Sequence, residues 1–152
     1  MQRSRILVTG GAGFIGSAFV RLVLESDPNS KVINFDALTY AGNLDNVQEL
    51  DKTRHTFVRG DIGDREAVLA ALDQGTEAII NFAAESHVDR SIISAGEFLR
   101  TNIIGTQTLL DAARERQVQR FIQVSTDEVM GSLPEDDNAF FSEASPYEPN
   151  SP

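Results

Sequence analysis

One stretch restricts the fold of this chain more than any other: Thr9-Gly10-Gly11-Ala12-Gly13-Phe14-Ile15-Gly16, which directly follows the apolar run Ile6–Val8 and opens a helical pattern. A buried strand that passes straight into a helix through such a turn is the first half of a βαβ unit. Each glycine has a separate job. Gly10 permits the tight turn, Gly13 lets a pyrophosphate approach the backbone, and Gly16 allows the helix to pack closely. The free N–H groups and positive dipole end of that helix would then face phosphate. A purely structural strand-to-helix turn is the competing reading, and the glycines alone do not decide between the two.

The rest of the chain repeats the strand-helix rhythm. Ile15, Ala18, Phe19, Leu22 and Val23 recur at helical spacing, and Asp27-Pro28-Asn29 stops that helix. Short apolar runs at Val32–Phe35, Thr56–Val58, Ala78–Phe82 and Phe121–Val124 are mostly continuous, as in strands buried on both faces. Asp64, placed before Ala67, Val68, Ala71 and Leu72, predicts a capped second helix closing near Gly75. Leu99, Ile103, Thr106, Leu110 and Ala113 predict a third and longer one. Alternating strands and helices imply an α/β fold, a Rossmann-like, doubly wound parallel sheet. Residues 1–152 read as one dinucleotide-binding domain, and the pattern lapses after Val124 into a proline-rich, acidic loop over 126–152.

Charge and cysteine usage narrow the partners. With 13 basic against 23 acidic residues the net charge is −10, which repels a phosphate backbone, so no nucleic acid is expected. The chain has no cysteine, and His55 and His87 fall at no ligand spacing, so no metal site is expected. No apolar run approaches the ~20 residues of a membrane span. Glycines interrupt the first apolar stretch too early for a leader core, leaving the cytoplasm as the default location.

Three acidic places turn this fold class toward chemistry. Asp36 ends the second apolar run twenty residues after Gly16, the separation at which a carboxylate meets the adenosine ribose hydroxyls. A carboxylate there repels a 2′-phosphate and so selects NAD over NADP, unless Asp36 is only a solvated strand end. Asp61-Ile62, just past the third run, offers a carboxylate to the adenine amino group and an aliphatic side chain to the ring. Ser125-Thr126-Asp127-Glu128 follows the fifth run, at the carboxyl edge where such sheets bind ligands. Adjacent acids are ordinarily just solvated, but this position favours a role in chemistry.

The three-residue spacing of Gly10, Gly13 and Gly16 resembles that of the extended short-chain dehydrogenases. Within them, NFDALTYAGNLDN (Asn34–Asn46), GDIGD (Gly60–Asp64), NFAAESHVDRSI (Asn81–Ile92), TNIIGT (Thr101–Thr106) and VSTDEVMGSLPED (Val124–Asp136) resemble the dTDP-glucose 4,6-dehydratases. The similarity runs from Arg5 to Pro152. It implies NAD contacts from Phe14, Ile15, Asp36, Leu38, Thr39, Gly42, Asp61, Ile62, Ala83 and Ala84, with Asn102 beside the nicotinamide. Ser86, His87 and Arg90 are implied to touch a nucleotide-sugar substrate, dTDP-glucose. Local readings compete: His87 as a hydrogen-bonding group of a polar loop, Arg90 as the surface partner of Asp89 or Glu85.

The implied reaction oxidises the 4-hydroxyl, eliminates water across the neighbouring carbons and returns hydride to the 6-position. Elimination needs a general acid and a general base, two carboxyl groups in different protonation states. The resemblance makes Asp127 the acid and Glu128 the base, with Thr126 holding the 4-hydroxyl. It also implies a homodimer built on the helix around Leu99–Arg114. Two departures stand out. Met130 occupies a position where the family has tyrosine, and no YxxxK pair follows, since Ser151 stands four residues after Tyr147 and the only lysines are Lys31 and Lys52. The resemblance thus implies an N-terminal portion, truncated before the later strands and substrate domain and inactive by itself. A non-catalytic NAD-binding module and a UDP-sugar epimerase fragment are the alternatives. The second has no need of an acid-base pair.

Overall fold

The computed structural model describes residues 4–72, 75–135 and 138–150. Its strands are β1 (Arg5–Thr9), β2 (Lys31–Asp36), β3 (His55–Arg59), β4 (Ala78–Asn81) and β5 (Arg120–Gln123). They form one parallel, five-stranded sheet in the order β3-β2-β1-β4-β5, and all five lie where the apolar runs predict them. Because β1 pairs with β2 on one side and β4 on the other, the chain reverses its winding at β1, and the carboxyl end of β1 is the topological switch point.

Helices cover both faces. α1 (Phe14–Ser26) packs on one side, where Val8 of β1 and Val32 of β2 meet Val20 and Leu24. On the other side α2 (Arg65–Ala71) and α5 (Thr106–Glu115) bury Leu7, Phe35, Ile79, Val68 and Leu109. Strand alternation sends Leu7 and Val8 to opposite faces, and both are fully buried. Each large apolar side chain so buried contributes roughly 1.5–3 kcal/mol. Asp64 caps α2 as expected, its carboxylate accepting from the N–H groups of Glu66 and Ala67.

Two helix faces differ from the sequence expectation. In α1 the buried residues are Gly16, Ser17, Val20 and Leu24, whereas Ile15 is 63% and Leu22 is 59% exposed. Close docking of Gly16 on the glycine turn fixes the rotation of the helix, and that rotation turns the adjacent apolar stripe outward. The third predicted helix is also real but composite: α4 (Gly96–Phe98) runs through a π-helical stretch, Leu99–Gly105, into α5. Its buried side is Gly105, Leu109, Ala112 and Ala113, and the stripe Leu99, Ile103 and Leu110 faces outward. A short α3 (Val88–Ile93) stands where a polar loop was expected, with His87 at its N-cap. Met1–Arg3, Asp136 and Ser151 lie outside the described residues. No helix among those described is long and apolar enough to cross a membrane.

A buried polar pair beneath the glycine turn makes stability depend on pH. The fully buried Asn34 amide donates to the Gly11 carbonyl at 3.0 Å and lies 3.3 Å from Nε2 of His55, which must accept and therefore be neutral. Burial holds the His55 pKa below its usual value. The unfolded chain takes up this proton near pH ~6.5 and the folded chain resists it. Stability from this site is therefore complete above that pH and declines as pH falls through it. Urea unfolding should show the midpoint dropping between about pH 7 and pH 5, with His55→Gln flattening the decline. An unchanged slope in that variant would show that other groups carry it.

Candidate functional site

The glycine turn sits at the switch point with its neighbours pressed against it. Gly10 has φ +67°, its N–H donates to the Phe35 carbonyl at 2.9 Å, and an added Cβ would lie 2.7 Å from the Ala83 nitrogen. Only glycine fits both constraints. Gly13 caps α1 without any side-chain hydrogen bond, so the first amides of the helix are left for an external acceptor. Phe14 beside it is 90% exposed, an apolar surface at the mouth of the turn.

Asp36, only 7% exposed, closes the other side. Its Oδ2 accepts from the Ala12 N–H at 2.9 Å and its Oδ1 from the Leu38 N–H at 2.8 Å. Leu38 has φ +54°, and a Cβ on Gly42 would approach Asp36 Oδ1 to 2.7 Å. The loop carrying Leu38, Thr39 and Gly42 thus folds around this one carboxylate, which keeps further lone pairs for hydroxyl donors. Asp61 accepts from the Gly63 N–H at 2.8 Å and pairs with Arg100 at 3.2 Å. The Ile62 side chain is 3% exposed, in the core against Gly105, because the helix that continues into α5 packs over it.

The loop after β4 is fastened from behind. Asn102 accepts from the Glu85 N–H at 2.9 Å and donates to the Glu85 carbonyl at 2.8 Å, so it holds the backbone next to Ala83 and Ala84. Ser86 and His87 are exposed on the same loop. Arg90, on α3, lies over the ring of Tyr40, 4.4 Å from its centre, in place of the surface ion pair with Asp89 or Glu85 that the sequence allowed. Burial and then the Glu85 carboxylate push the Tyr40 phenol above its ordinary range.

A polar relay that sequence reading missed joins this cleft to the acidic turn. Asn81, fully buried at the end of β4, accepts from the Thr9 hydroxyl, donates to Gln123 at 2.8 Å and accepts from the Ala83 N–H at 3.2 Å. The Val124 N–H donates to the Asn81 carbonyl at 3.1 Å, so Ser125 begins beside the loop after β4. A polar residue closing an otherwise apolar strand run was the available signal. Thr126 then caps a short 3-10 turn, Asp127–Met130: its hydroxyl accepts from the Glu128 N–H at 3.3 Å and donates to Asp127 at 3.2 Å. A cavity of about 440 Å³ opens here, lined among others by Thr126, Asp127, Met130, Glu143 and Tyr147. Glu128 is exposed and is not part of its wall. Gly131, with φ +86°, lets the Glu148 carbonyl come so close that a Cβ would lie 2.3 Å from it, and this brings Tyr147 to the cavity.

The sequence and the fold are similar to those of known proteins. The low-salt glycan biosynthesis protein Agl12 of Haloferax volcanii is 53% identical over 148 residues, which is 97% of this chain and 46% of that protein. A dTDP-glucose 4,6-dehydratase of Streptomyces niveus is 50% identical over 153 residues, 97% of this chain and 44% of that one. Among solved structures, the dTDP-glucose 4,6-dehydratase DesIV of Streptomyces venezuelae, crystallised with NAD bound, superposes with a TM-score of 0.88 at 52% identity, covering 97% of this chain and 46% of that one. Solved UDP-glucose 4-epimerases share the fold more distantly; that of Thermus thermophilus is 32% identical with a TM-score of 0.84, covering 97% of this chain and 45% of that one. The chain spans under half the length of these relatives. With the family model matched over residues 7–152, the chain belongs to the GDP-mannose 4,6 dehydratase family.

Proposed function

We propose that this chain supplies the NAD site and the acid-base turn of a nucleotide-sugar dehydratase that converts dTDP-glucose to its 4-keto-6-deoxy product. The observation that carries this reading is the Asn81 relay, which links the glycine turn after β1 to the Thr126–Met130 turn after β5 through the end of β4, the strand between them. NAD fits the first of these turns. The uncapped first turn of α1 takes the pyrophosphate, Asp36 takes the adenosine ribose, and Asp61 and the backbone at Ile62 face the adenine. Ala83 and Ala84 flank the nicotinamide half, with Asn102 holding their loop in place. When bound, the cofactor supplies the hydride acceptor for the 4-position and the hydride returned to the 6-position.

The chain's own residues handle the elimination. Thr126 holds the sugar's 4-hydroxyl, Asp127 in the cavity wall protonates the departing hydroxyl, and Glu128 takes the proton from the carbon beside the ketone. That last role requires the Glu128 carboxylate to face the cavity. Ser86 and His87 on the β4 loop contact the substrate. An epimerase shares the fold but has no use for an acid at Asp127.

Selectivity for NAD over NADP is the direct test. Calorimetric titration should give tighter binding of NAD, and Asp36→Ala should weaken it by about 1–3 kcal/mol and narrow the difference. Equal affinities in the unaltered chain would sink the assignment. Tight NAD binding in a dehydratase-competent context without turnover of dTDP-glucose would support the non-catalytic module instead.

A further inference from the structure

The glycine turn is enclosed by a closed circuit of contacts, and its last link is a pair of exposed side chains. On one flank the loop after β2 is tied down, since the Asn43 N–H donates to the Ala12 carbonyl at 3.0 Å and the Asn46 amide donates to the same oxygen at 2.8 Å. On the other flank the loop after β4 presses on Gly10 through Ala83, and Asn102 grips Glu85 by both backbone groups. Tyr40 leaves the first loop and Arg90 follows the second on α3. They meet with the guanidinium 4.4 Å from the ring centre, across the mouth of the turn.

Neither side chain is needed to fill the core. Tyr40 is 55% exposed and Arg90 is exposed on a short helix, so the pair can part without unfolding anything beneath it. Each flank is instead held by two hydrogen bonds, those to the Ala12 carbonyl on one side and the two-point grip of Asn102 on the other. A weak contact between firmly held supports is the construction of a latch.

We infer that Tyr40 and Arg90 form a clasp that closes over the pyrophosphate stretch of a bound dinucleotide and slows both its association and its release. The inference rests on the NAD reading above. Such a clasp suits a reaction in which the cofactor is reduced and reoxidised within one turnover, because retention then costs no rate. It differs from a simple binding contact in its kinetics. A latch that hinders both directions leaves the equilibrium affinity nearly unchanged when it is removed, whereas a lost contact raises dissociation alone.

Stopped-flow mixing with NADH, followed by its fluorescence, reads both rates. Arg90→Leu and Tyr40→Leu should each raise association and dissociation by roughly three- to tenfold with little change in Kd. Tyr40→Phe keeps the ring and loses only the hydroxyl that faces Glu85 and Arg90, so it should fall closer to the unaltered chain than to Tyr40→Leu. Unchanged rates in both leucine variants would overturn the clasp, as would Tyr40→Phe matching Tyr40→Leu. Faster dissociation with unaltered association would make Arg90 a plain ligand contact and equally overturn it. If the unaltered chain binds neither NAD nor NADH, the dinucleotide reading itself fails, a result distinct from all of these.

Discussion

Glu128→Gln and Asp127→Asn are expected to stop elimination while sparing the first oxidation, so that reduced cofactor accumulates on the enzyme. The measurement is made in a chimaera in which residues 1–152 replace the matching segment of the Streptomyces niveus dehydratase, which is 50% identical to this chain over that stretch. Each change keeps shape and removes only the ability to exchange a proton. Loss of one general acid or base costs ~10²–10⁴-fold. The two variants should also differ. Asp127 lines the cavity and shares a hydrogen bond with the Thr126 hydroxyl, so Asp127→Asn should slow the first oxidation slightly, by far less than it slows elimination. Glu128 holds the turn through its backbone N–H, and its side chain can change without moving Thr126. Rapid mixing with dTDP-glucose, followed by the absorbance of reduced nicotinamide, separates the two steps. Product formation at full rate in both variants would refute the assigned roles, and a loss confined to Asp127→Asn would leave Glu128 outside the chemistry and turn attention to Glu143 in the cavity wall.

The second large effect concerns the glycine that locks α1 to the turn. Gly16→Ala is expected to destabilise the fold by about 2–3 kcal/mol and to abolish tight NAD binding. A methyl at this position would lie 2.2 Å from the Gly10 carbonyl oxygen and 2.9 Å from the Gly11 Cα. Both are backbone atoms of the turn, so no side chain can swing aside to relieve the overlap, and α1 must tilt away from β1. That tilt would move the open amides of the first helical turn off the position where a pyrophosphate meets them. Gly96→Ala is the matched control. Nothing lies within 4 Å of an added Cβ there, and the residue opens a helix, so the change should be neutral or mildly stabilising. Urea midpoints and NAD titrations of the two variants test the contrast. Equal midpoints would mean that the turn tolerates a wider helix separation than its geometry implies.

The boundaries between what was legible and what was not follow from the range of the forces involved. Strand positions, the Asp64 cap, the parallel class of the sheet, the glycine turn and the place of Asp36 at the end of β2 were readable because each depends on local chemistry: side-chain pattern, φ freedom, or a fixed count of residues along one βαβ unit. The rotation of α1 was not. Ile15 and Leu22 have the right spacing to be core, yet Val20 and Leu24 occupy it, because the contact of Gly16 with Gly10 overrides periodicity when a helix has two apolar stripes. The same competition turned Leu99, Ile103 and Leu110 outward and put Leu109 and Ala112 inside.

Contacts between segments distant in sequence were decided only by tertiary structure. Asn81 gains its meaning from Thr9, 72 residues away, and from Gln123, 42 away; no local pattern encodes a bond between three strand ends. The packing of the Ile62 side chain in the core was likewise unreadable, because the hollow it fills is left by Gly105, a residue remote in sequence. Arg90 had plausible partners close by in sequence at Asp89 and Glu85, and the fold supplied Tyr40 instead. By itself, the sequence determined the kind of sheet, the glycine turn at its switch point and the carboxylates at its edge. Which side chains meet across that edge was left to the packing of helices on strands, since close approach between remote segments depends on shape in three dimensions and not on spacing along the chain.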